Sequence, residues 1–276
     1  ADWGYAVQQT KDGGYIFAGI TSSFGAGDYD VYLIRTNANG DTLWTKTYGG
    51  TRSDKAYSVQ LTPKGGYIVA GNTESFGAGD PNVYLLCTDA DGIILWTNTY
   101  GGSIWDEARQ VQQTNDGGFI VVGNTESYGA GRNDIYLFKT NAKGDTLWTK
   151  TFGGADDDKG YSVQQTNDDG FIVAGYTESF GAGKSDVYLI KTNENGDTLW
   201  TKTYGSSSWE HSNSVQQTND GGYIIAGKIL KLETGNSDVY LIRTDENGDT
   251  LWTKTYGGDG QDEGYFVQQT SEGGYI

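Results

Sequence analysis

The motif "NGDTLWTKTYGG", residues 39–50, occurs five times in the chain with small variations, and this repetition is the main evidence for the fold. The other copies are "DGIILWTNTYGG" at 91–102, "KGDTLWTKTFGG" at 143–154, "NGDTLWTKTYGS" at 195–206 and "NGDTLWTKTYG" at 247–257. Their tryptophans follow one another at a constant spacing of 52 residues: Trp44, Trp96, Trp148, Trp200 and Trp252. Repeats of this length indicate a solenoid, a propeller or an array, and the content of one repeat decides which.

One repeat contains four short β-like runs and no helical periodicity. In the fourth copy the runs are "YSVQQT" (161–166), "FIVAGYT" (171–177), "VYLIKT" (187–192) and "TLWTKTY" (198–204). The turn "NDDG" follows the first run, and "NENGD", with the Asn-Gly pair of a tight hairpin, follows the third. The repeat therefore predicts a four-stranded antiparallel meander and excludes helical solenoids.

The second and third runs are apolar on both faces, whereas the first and fourth are mixed. A sheet that is covered on both sides buries its middle strands in this way, and blades stacked around an axis supply the cover. The sequence predicts an all-β chain: a single β-propeller domain over 1–276 with 52-residue repeats. We expect five complete blades plus the inner strands of a sixth, "YFVQQTSEGGYI". The approximate repeats are 1–52, 53–104, 105–156, 157–208, 209–260 and a partial 261–276.

The repeat resembles known propeller families. The stretches "DGGYIFAG" (12–19) and "NDGGYIIAG" (219–227), each followed by an aromatic strand and a tryptophan, resemble Kelch repeats. The full unit is similar to propeller repeats of secreted bacterial surface proteins. This resemblance implies that "SVQQT" is the innermost strand and "LWTKTY" the outermost, and it implies an extracellular or cell-surface location. It does not fix the function, because propellers support both enzymes and scaffolds.

Composition limits the partners. With 19 basic and 36 acidic residues the chain carries a net charge of −17, which disfavours binding to phosphate backbones and anionic membranes. No apolar run approaches the length of a membrane span. We therefore expect neither nucleic acid nor membrane insertion, and a protein or glycan at the cell surface as partner. Residue 1 already lies inside a repeat, so we expect any signal peptide to lie outside this sequence.

Candidate catalytic groups are few. Cys87, the one cysteine, occupies a position filled by Arg35, Lys139, Lys191 and Arg243 in other copies, so we expect a surface substitution. His211, the one histidine, is expected on an exposed loop. No Ser-His-Asp spacing, phosphate-binding loop or zinc-ligand cluster is present. We expect no catalytic residues, no cofactor and no metal.

The candidate ligand-binding residues lie on the longer loops, which should share one face. An acid precedes every inner strand, and pseudo-symmetry predicts a ring of these acids near a channel mouth: Asp2, Asp54, Asp106, Asp158, Glu210 and Asp262. Two interpretations are open. Each carboxylate accepts N–H groups of its own loop, or the ring binds a cation or a hydroxyl-rich ligand.

Aromatic residues accompany these acids. Trp105 and Trp209 occur in only two linkers and are therefore candidate ligand contacts, whereas Phe24, Phe76, Tyr128 and Phe180 recur and are expected to pack under their loops. The fifth repeat replaces "YTESFGAGKSD" with "KILKLETGNSD", which adds Lys228 and Lys231 to an acidic face. The sequence thus favours a non-catalytic extracellular binding or structural module; the alternative is a polysaccharide hydrolase or lyase, or a lectin, on the same scaffold.

Overall fold

The computed structural model describes residues 1–78 and 80–276, and within them the chain forms twenty strands and no helix. The strands form five four-stranded antiparallel sheets in which spatial order follows chain order. Sheet 1 contains β1 (Asp2–Gln9), β2 (Tyr15–Thr21), β3 (Asp30–Thr36) and β4 (Thr42–Tyr48); sheet 2 contains β5 (Asp54–Leu61), β6 (Tyr67–Thr73), β7 (Asn82–Thr88) and β8 (Ile94–Tyr100); sheet 3 contains β9 (Asp106–Gln113), β10 (Phe119–Thr125), β11 (Asp134–Thr140) and β12 (Thr146–Phe152); sheet 4 contains β13 (Asp158–Gln165), β14 (Phe171–Thr177), β15 (Asp186–Thr192) and β16 (Thr198–Tyr204); sheet 5 contains β17 (Glu210–Gln217), β18 (Tyr223–Leu230), β19 (Ser237–Thr244) and β20 (Thr250–Tyr256).

The chain divides into two compact units. Unit 1 comprises Ala1–Tyr128 and Phe138–Leu147, and unit 2 comprises Gly129–Leu137 and Trp148–Ile276. Within the described residues no helix is long and apolar enough to cross a membrane.

The middle strands are buried on both faces, as the sequence predicts. Every residue of β6, β7, β14 and β15 is buried. The fourth strands alternate between exposed and half-buried residues instead. A strand that is buried on both faces needs a neighbour on each side, so the contact between successive sheets holds the fold together.

In unit 1, sheets 1 and 2 meet through an apolar seam. Ile16, Leu33 and Tyr48 of sheet 1 lie in one core cluster with Val59 and Tyr67 of sheet 2. The half-buried indole of Trp44 meets the Tyr67 ring edge-on at 6.0 Å, and the Tyr48 hydroxyl donates to the Gly92 carbonyl at 2.7 Å. The tryptophan of the repeated motif thus joins one sheet to the next.

Unit 2 repeats this seam between sheets 4 and 5. Trp200 meets Tyr223 at 5.9 Å, and the Tyr204 hydroxyl donates to the Gly248 carbonyl at 2.6 Å. The hairpin glycine packs directly on the tryptophan: a Cβ on Gly248 would lie 2.9 Å from the Trp200 ring. Lys202 then pairs with Asp249 across the seam at 2.8 Å. The motif "NGDTLWTKTY" therefore supplies both sides of the last three contacts, and the second strand of the next sheet supplies Tyr223.

The expectation that Cys87 is a surface substitution is wrong. Cys87 is buried, with 5% of its surface exposed, and burial raises the pKa of its thiol to about 11. The corresponding Arg35 and Lys191 are buried as well, because they reach along the sheet to Asp12 and Asp168. A long cationic side chain can bury its stem and still present its charge to an acid. The charged residue types at this repeat position therefore suggested an exposed site, although Cys87, Arg35 and Lys191 are all buried.

The sixth copy lies on sheet 5. The Val267 N–H donates to Ser214 Oγ at 3.2 Å, as the Val215 N–H donates to Ser162 Oγ at 3.2 Å one repeat earlier. Tyr275 meets the Trp252 indole at 6.0 Å. In place of two full strands, residues 262–276 form one bridge, between Gln269 and Tyr275.

The seam makes a direct prediction about the tryptophans. Trp148 meets Phe171 at 5.9 Å and packs on the hairpin at Gly196, whereas Trp105 lies in a linker with 37% of its surface exposed. We expect Trp148→Ala to lower the free energy of unfolding by about 3 kcal/mol, the lower end of the range for core tryptophans since Trp148 is half-buried. Trp105→Ala serves as the matched control and should change it by about 0.5 kcal/mol. Equal shifts in urea denaturation would contradict this assignment.

Candidate functional site

The acids that precede the inner strands are the first residues of those strands. Asp54, Asp106, Asp158 and Glu210 begin β5, β9, β13 and β17 and are fully buried. Asp106 shows the common arrangement: its Oδ2 accepts the Gly102 N–H at 2.8 Å and the Ser127 hydroxyl at 2.7 Å. Asp54 and Asp158 accept the equivalent glycine N–H and serine hydroxyl groups. Each carboxylate therefore ties its linker to the loop that follows the second strand of its own sheet.

The structure adds a second set of acids that the sequence did not single out. Asp30, Asp134, Asp186 and Asp238 lie at the start of the third strands. Asp186 Oδ2 accepts the N–H groups of Ala182 and Gly183 at 3.1 and 3.0 Å, and Asp30 and Asp134 accept the equivalent pairs. These acids hold the "GAG" loops closed. The sequence signal that could have identified these acids is the recurrence of an aspartate in "GAGKSD" and the equivalent loops.

The two sets of acids meet in pairs around one glycine. In unit 2, Asp134 and Asp158 flank Gly153, and Asp186 and Glu210 flank Gly205, so that a Cβ on either glycine would collide with both carboxylates. Burial, and then the charge of Asp158, raises the pKa of Asp134. Burial also raises the pKa of Glu210, with a smaller contribution from Asp186. Only glycine leaves room for two carboxylates at this point.

The fifth repeat has lost part of this arrangement. Ile229 replaces the threonine that stands opposite the acid in other copies, as Thr177 stands opposite Asp158. Ser206 donates to Glu210 Oε1 at 2.6 Å. The buried Oε2 has no hydrogen-bond partner, and the same is true of Asp106 Oδ1 and Asp158 Oδ1. The two added lysines are paired inside unit 2: Lys231 with Asp238 at 2.7 Å and Lys228 with Glu263 at 3.3 Å.

Asp2 and Asp262 differ from the other four acids. Asp2 is exposed, and hydrogen bonds from Thr21 and Ser23 lower its pKa. Asp262 is half-buried and accepts the Gly258 N–H at 3.0 Å. Unit 1 holds Asp2, Asp54 and Asp106, and unit 2 holds Asp158, Glu210 and Asp262. The ring of all six acids stays a prediction.

The local donors lead us to expect indifference to calcium. Within the described residues, no group of three or more His, Cys, Asp or Glu side chains is arranged to hold a metal ion, and Asp106 and Asp158 already accept N–H and hydroxyl groups. Added calcium should therefore leave the melting temperature unchanged. A shared site would instead stabilise the fold by about 2.7 kcal/mol at one hundred times its Kd.

The control is the Asp106→Asn, Asp158→Asn double variant, which we expect to melt lower in both the presence and the absence of calcium. A calcium-dependent rise in the wild-type melting temperature that disappears in this variant would overturn the expectation and identify a metal site.

The two linker tryptophans lie in different units. Trp105 belongs to unit 1, where its carbonyl accepts the Glu126 N–H at 2.8 Å. Trp209 belongs to unit 2, and the Lys184 ammonium lies 4.0 Å from the centre of its ring. The recurring loop aromatics pack on third-strand tyrosines, as Phe24 does on Tyr32 at 5.9 Å, yet Phe24 keeps 61% of its surface exposed.

A set of residues that the sequence analysis missed lies in the inner strands, at a β-bulge. Each first strand shifts register by one residue within its first half, and the extra residue is Tyr5, Tyr57, Arg109, Tyr161 or Asn213. A bulge turns the extra side chain out of the normal alternation and is frequent beside binding sites. No sequence signal marks it, because the register shift is set by cross-strand pairing.

In unit 1 the bulge residues form a continuous line. The rings of Tyr5 and Tyr57 meet edge-on at 5.2 Å, and the Arg109 guanidinium lies 4.7 Å from the centre of the Tyr57 ring. Arg109 also pairs with Glu107 at 2.6 Å, and Glu107 accepts an N–H of Asn124 at 2.9 Å. The line therefore places aromatic rings and a guanidinium side by side, and the buried carboxylate of Glu107 holds the guanidinium in position.

In unit 2, His211 lies two residues before the bulge, at the position of Lys55 and Glu107 in unit 1. It lies in strand β17 and is half-buried, so the expectation of an exposed loop histidine is wrong. The imidazole stacks on Tyr176 at 4.0 Å, and its Nε2 lies 3.0 Å from Ser185 Oγ. Burial first, and then the charge of Lys228, lowers its pKa to about 4. Ser185 has no exposed surface, so a substrate cannot reach this serine–histidine pair.

The lowered pKa of His211 predicts a pH dependence of stability. Between pH 6.5 and pH 4 the unfolded chain binds a proton on His211 that the folded chain does not, so the free energy of unfolding falls as the pH falls through that window. From pH 7 to pH 5 we expect this group alone to account for roughly 1–2 kcal/mol.

The comparison is with His211→Gln, which keeps a hydrogen-bonding side chain and cannot titrate. Urea denaturation at pH 7 and pH 5 should show a smaller loss of stability in the variant. Equal losses in both proteins would mean that His211 binds protons equally well in the folded and unfolded chains.

Comparison with known proteins places the fold. No protein-family model matches the chain. The regulatory protein FlaEY of Caulobacter vibrioides is 23% identical over 247 residues, which cover 83% of this chain and 23% of FlaEY. The chain thus spans about a quarter of the length of that relative.

Solved structures show the same architecture. The WD40 domain of Neurospora crassa Pan2 has a TM-score of 0.56 at 9% identity, with coverage of 98% of this chain and 83% of that domain. Chaetomium thermophilum Sqt1, bound to the N-terminus of ribosomal protein L10, has a TM-score of 0.53 at 12% identity, covering 97% and 78%. Synechocystis apocarotenoid oxygenase has 0.54 at 9%, covering 91% and 60%. The five sheets are therefore β-propeller blades.

Proposed function

We propose that this chain is a non-catalytic binding module that recognises a protein or a glycan outside the cell. The ligand surface combines the bulge residues of the inner strands of unit 1 with the adjoining long loops, which include the exposed Asp2 and which the buried acids Asp54 and Asp106 hold in place. The single observation that carries the proposal is the line Tyr5–Tyr57–Arg109. Aromatic rings beside a guanidinium suit sugar rings and polar peptides.

The pattern of variation supports a recognition role. Framework positions keep the same residue type in every repeat, such as the seam tryptophans and the hairpin glycines, whereas the bulge positions carry tyrosine, arginine or asparagine. A bulged residue is left out of the ladder of paired residues, so its identity can change without loss of sheet pairing. Sqt1 also supports a role in peptide binding, since that propeller structure includes a bound peptide segment.

An extracellular or cell-surface location and a Kelch-like ancestry belong to the same proposal, as does the organisation of residues 1–276 as a single propeller domain. Their support is the likeness of the repeat to those of secreted bacterial surface proteins. The alternative, a hydrolase or lyase acting on polysaccharide, requires an accessible nucleophile or acid–base pair. The pair of Ser185 and His211 does not meet that requirement, because the serine hydroxyl is buried.

A printed glycan array tests the proposal directly. We expect saturable binding without turnover of the bound glycan, and at least a tenfold loss of affinity in Tyr57→Ala, because truncation of a hot-spot aromatic costs about 2 kcal/mol or more. Lys64→Ala is the matched control: Lys64 is an exposed cation of the same unit in the tight turn between β5 and β6, at the end of these strands away from the long loops, and its loss should leave affinity unchanged.

Cleavage of an array glycan would overturn the non-catalytic assignment. Equal affinities of the wild type and Tyr57→Ala, for a glycan that does bind, would place the ligand surface elsewhere. If no glycan binds, the peptide alternative is tested with an immobilised library of polar and cationic peptides and the same two variants. Absence of binding to both probes would reject the proposed function.

A further inference from the structure

The acid pair of Asp186 and Glu210 in unit 2 has no hydrogen-bond donor at the point where the two carboxylates face each other. Asp186 is 1% exposed and Glu210 is 0% exposed. A Cβ on Gly205 would collide with Asp186 Oδ1 and would lie 2.9 Å from Glu210 Oε2, so both oxygens face the same small space. Glu210 Oε2 is buried and has no hydrogen-bond partner among the described residues. Two buried carboxylates in this arrangement cannot both ionise without strong mutual repulsion.

The other acid pairs of unit 2 have donors at the equivalent point. Asp158 Oδ2, which faces Gly153, accepts the N–H of the following glycine and the Ser179 hydroxyl at 2.8 and 2.6 Å. Asp262 Oδ2 accepts the Gly258 N–H at 3.0 Å. Such donors stabilise the ionised form of a carboxyl group. Within the described part of unit 2, the pair at Gly205 is therefore the one whose second acid turns an oxygen without a donor toward the first.

The fifth repeat shows why these donors are missing. In the fourth repeat, Thr177 stands opposite the acid that begins the first strand, and the Ser179 hydroxyl donates to that acid. The equivalent residues of the fifth repeat are Ile229 and Lys231. Isoleucine has no hydroxyl, and the ammonium of Lys231 pairs with a different acid. Glu210 has thus lost the two hydroxyl groups that its repeat position normally provides.

The acid pair joins two segments that carry solvent-accessible side chains. Asp186 holds the "GAG" loop of sheet 4, and Glu210 holds the linker of residues 205–209, through the hydrogen bonds given above. Next to the pair, the Lys184 N–H donates to the Ser208 carbonyl at 3.0 Å, and the Lys184 ammonium lies 4.0 Å from the centre of the Trp209 ring. The contact between loop and linker therefore depends on how the two carboxyl groups tolerate each other.

We propose that Asp186 and Glu210 share one proton in the folded chain, and that this proton holds the "GAG" loop of sheet 4 to the linker of residues 205–209. The proton lies on Glu210 Oε2 and faces Asp186 Oδ1, so the pair carries one negative charge instead of two. When the pH rises and solvent takes up the proton, the two charges repel and the loop separates from the linker. The proposal is independent of the ligand surface proposed above, which lies in unit 1.

Burial, with a smaller contribution from the charge of Asp186, raises the pKa of Glu210 and so acts in the same direction as the geometry. Interacting acids of this kind titrate as a pair. The neighbouring titratable groups behave differently. Burial, and to a smaller extent the charges of the pair, raise the pKa of Tyr240 in β19, and Lys231 is paired with Asp238. His211 has a lowered pKa, so its effect on stability has the opposite sign.

An NMR titration of the full chain, with glutamate labelled with ¹³C at the side-chain carboxyl, detects the proton directly. The resonance of Glu210 is identified by its loss in Glu210→Gln. We expect Glu210 to titrate at a higher pH in the folded chain than the glutamates do in the urea-unfolded chain. Titration at the same pH in both states would show that the pair holds no proton beyond the ordinary range and would overturn the proposal.

The Glu210→Gln variant tests the effect on stability, because glutamine has the same size and its amide donates to Asp186 without titrating. A raised pKa contributes stability that is lost as the pH rises through it. The wild type should therefore lose stability relative to the variant from about pH 4.5 upward. We expect similar urea midpoints of the two proteins at pH 4 and a higher midpoint of the variant at pH 8. Asp186→Asn, which supplies a donor from the other side, should behave in the same way.

The matched control is Asp106→Asn. Asn82 begins β7 at the position of the third-strand acid, so Asp106 has no such acid to pair with. This variant weakens hydrogen bonds to Gly102 and Ser127 and should have a lower urea midpoint than the wild type at both pH values. If the difference between Glu210→Gln and the wild type is the same at pH 4 and pH 8, the shared proton is rejected.

Hydrogen exchange tests the connection between the proton and the loop. At pH 8 the amides of residues 182–185 and 206–209 should exchange faster in the wild type than in Glu210→Gln, and at pH 4 the two proteins should be equal. Equal exchange at pH 8 would contradict the role of the proton in holding the loop. A rise in the wild-type melting temperature with calcium at pH 8 that disappears in Glu210→Gln would also overturn the proposal, because the pair would then hold a cation.

Discussion

The inner strands of the later repeats are buried because a sheet precedes them. The dependence is visible in one residue type at one position: Val59, Val111, Val163, Val215 and Val267 are buried at 0–6% exposure, whereas Val7 of β1 is 59% exposed. The local sequence around these valines is nearly the same, so the difference comes from the neighbour and not from the strand. A repeat of this kind buries its apolar face only by stacking. The tryptophan, tyrosine and lysine of the fourth strand, and the glycine and aspartate of the next hairpin, are the two sides of that stacking contact.

The paired acids support the stacked sheets at the end where the first and third strands begin. A buried carboxylate needs hydrogen-bond donors. Here the two loops that the acid joins supply donors to one oxygen, whereas Asp106 Oδ1, Asp158 Oδ1 and Glu210 Oε2 have no partner. The pair around Gly205 holds the "GAG" loop and the linker in one position. The residues that follow each acid, including the bulge residue three positions later, are thereby presented from a fixed base, as a binding surface requires. The structural reading of the acids and a recognition role for their neighbours therefore support each other.

The fold could be predicted from the sequence because it is written in short-range patterns: a constant spacing, an Asn-Gly turn, and strands that are apolar on both faces. The candidate site could be predicted only in part. The acids recur visibly, but the meeting of Asp186 with Glu210 joins residues from two loops, and only the folded chain shows it. Cys87 was predicted at the surface because the equivalent residues are the charged Arg35 and Lys191. The stems of these long side chains are buried even though their charged ends pair with acids. The bulges could not be predicted, because the register shift between Gly160 and Ser162 follows from pairing with β14. No local pattern of residues encodes that pairing.

The bulge gives each inner strand one position that can vary within the repeated framework. A residue in the ladder is constrained on both faces by its neighbours, so replacing it affects the seam. A bulge residue is released from that constraint, and the chain uses this freedom by placing tyrosine at Tyr57, arginine at Arg109 and asparagine at Asn213 in otherwise equivalent strands. The contacts that result differ as well: a cation over a ring at Tyr57, and hydrogen bonds from Asn213 to Glu263 and to the Gly264 carbonyl. Stability thus resides in the residues that every repeat shares, and the proposed ligand surface uses the few positions that the sheet leaves free to vary.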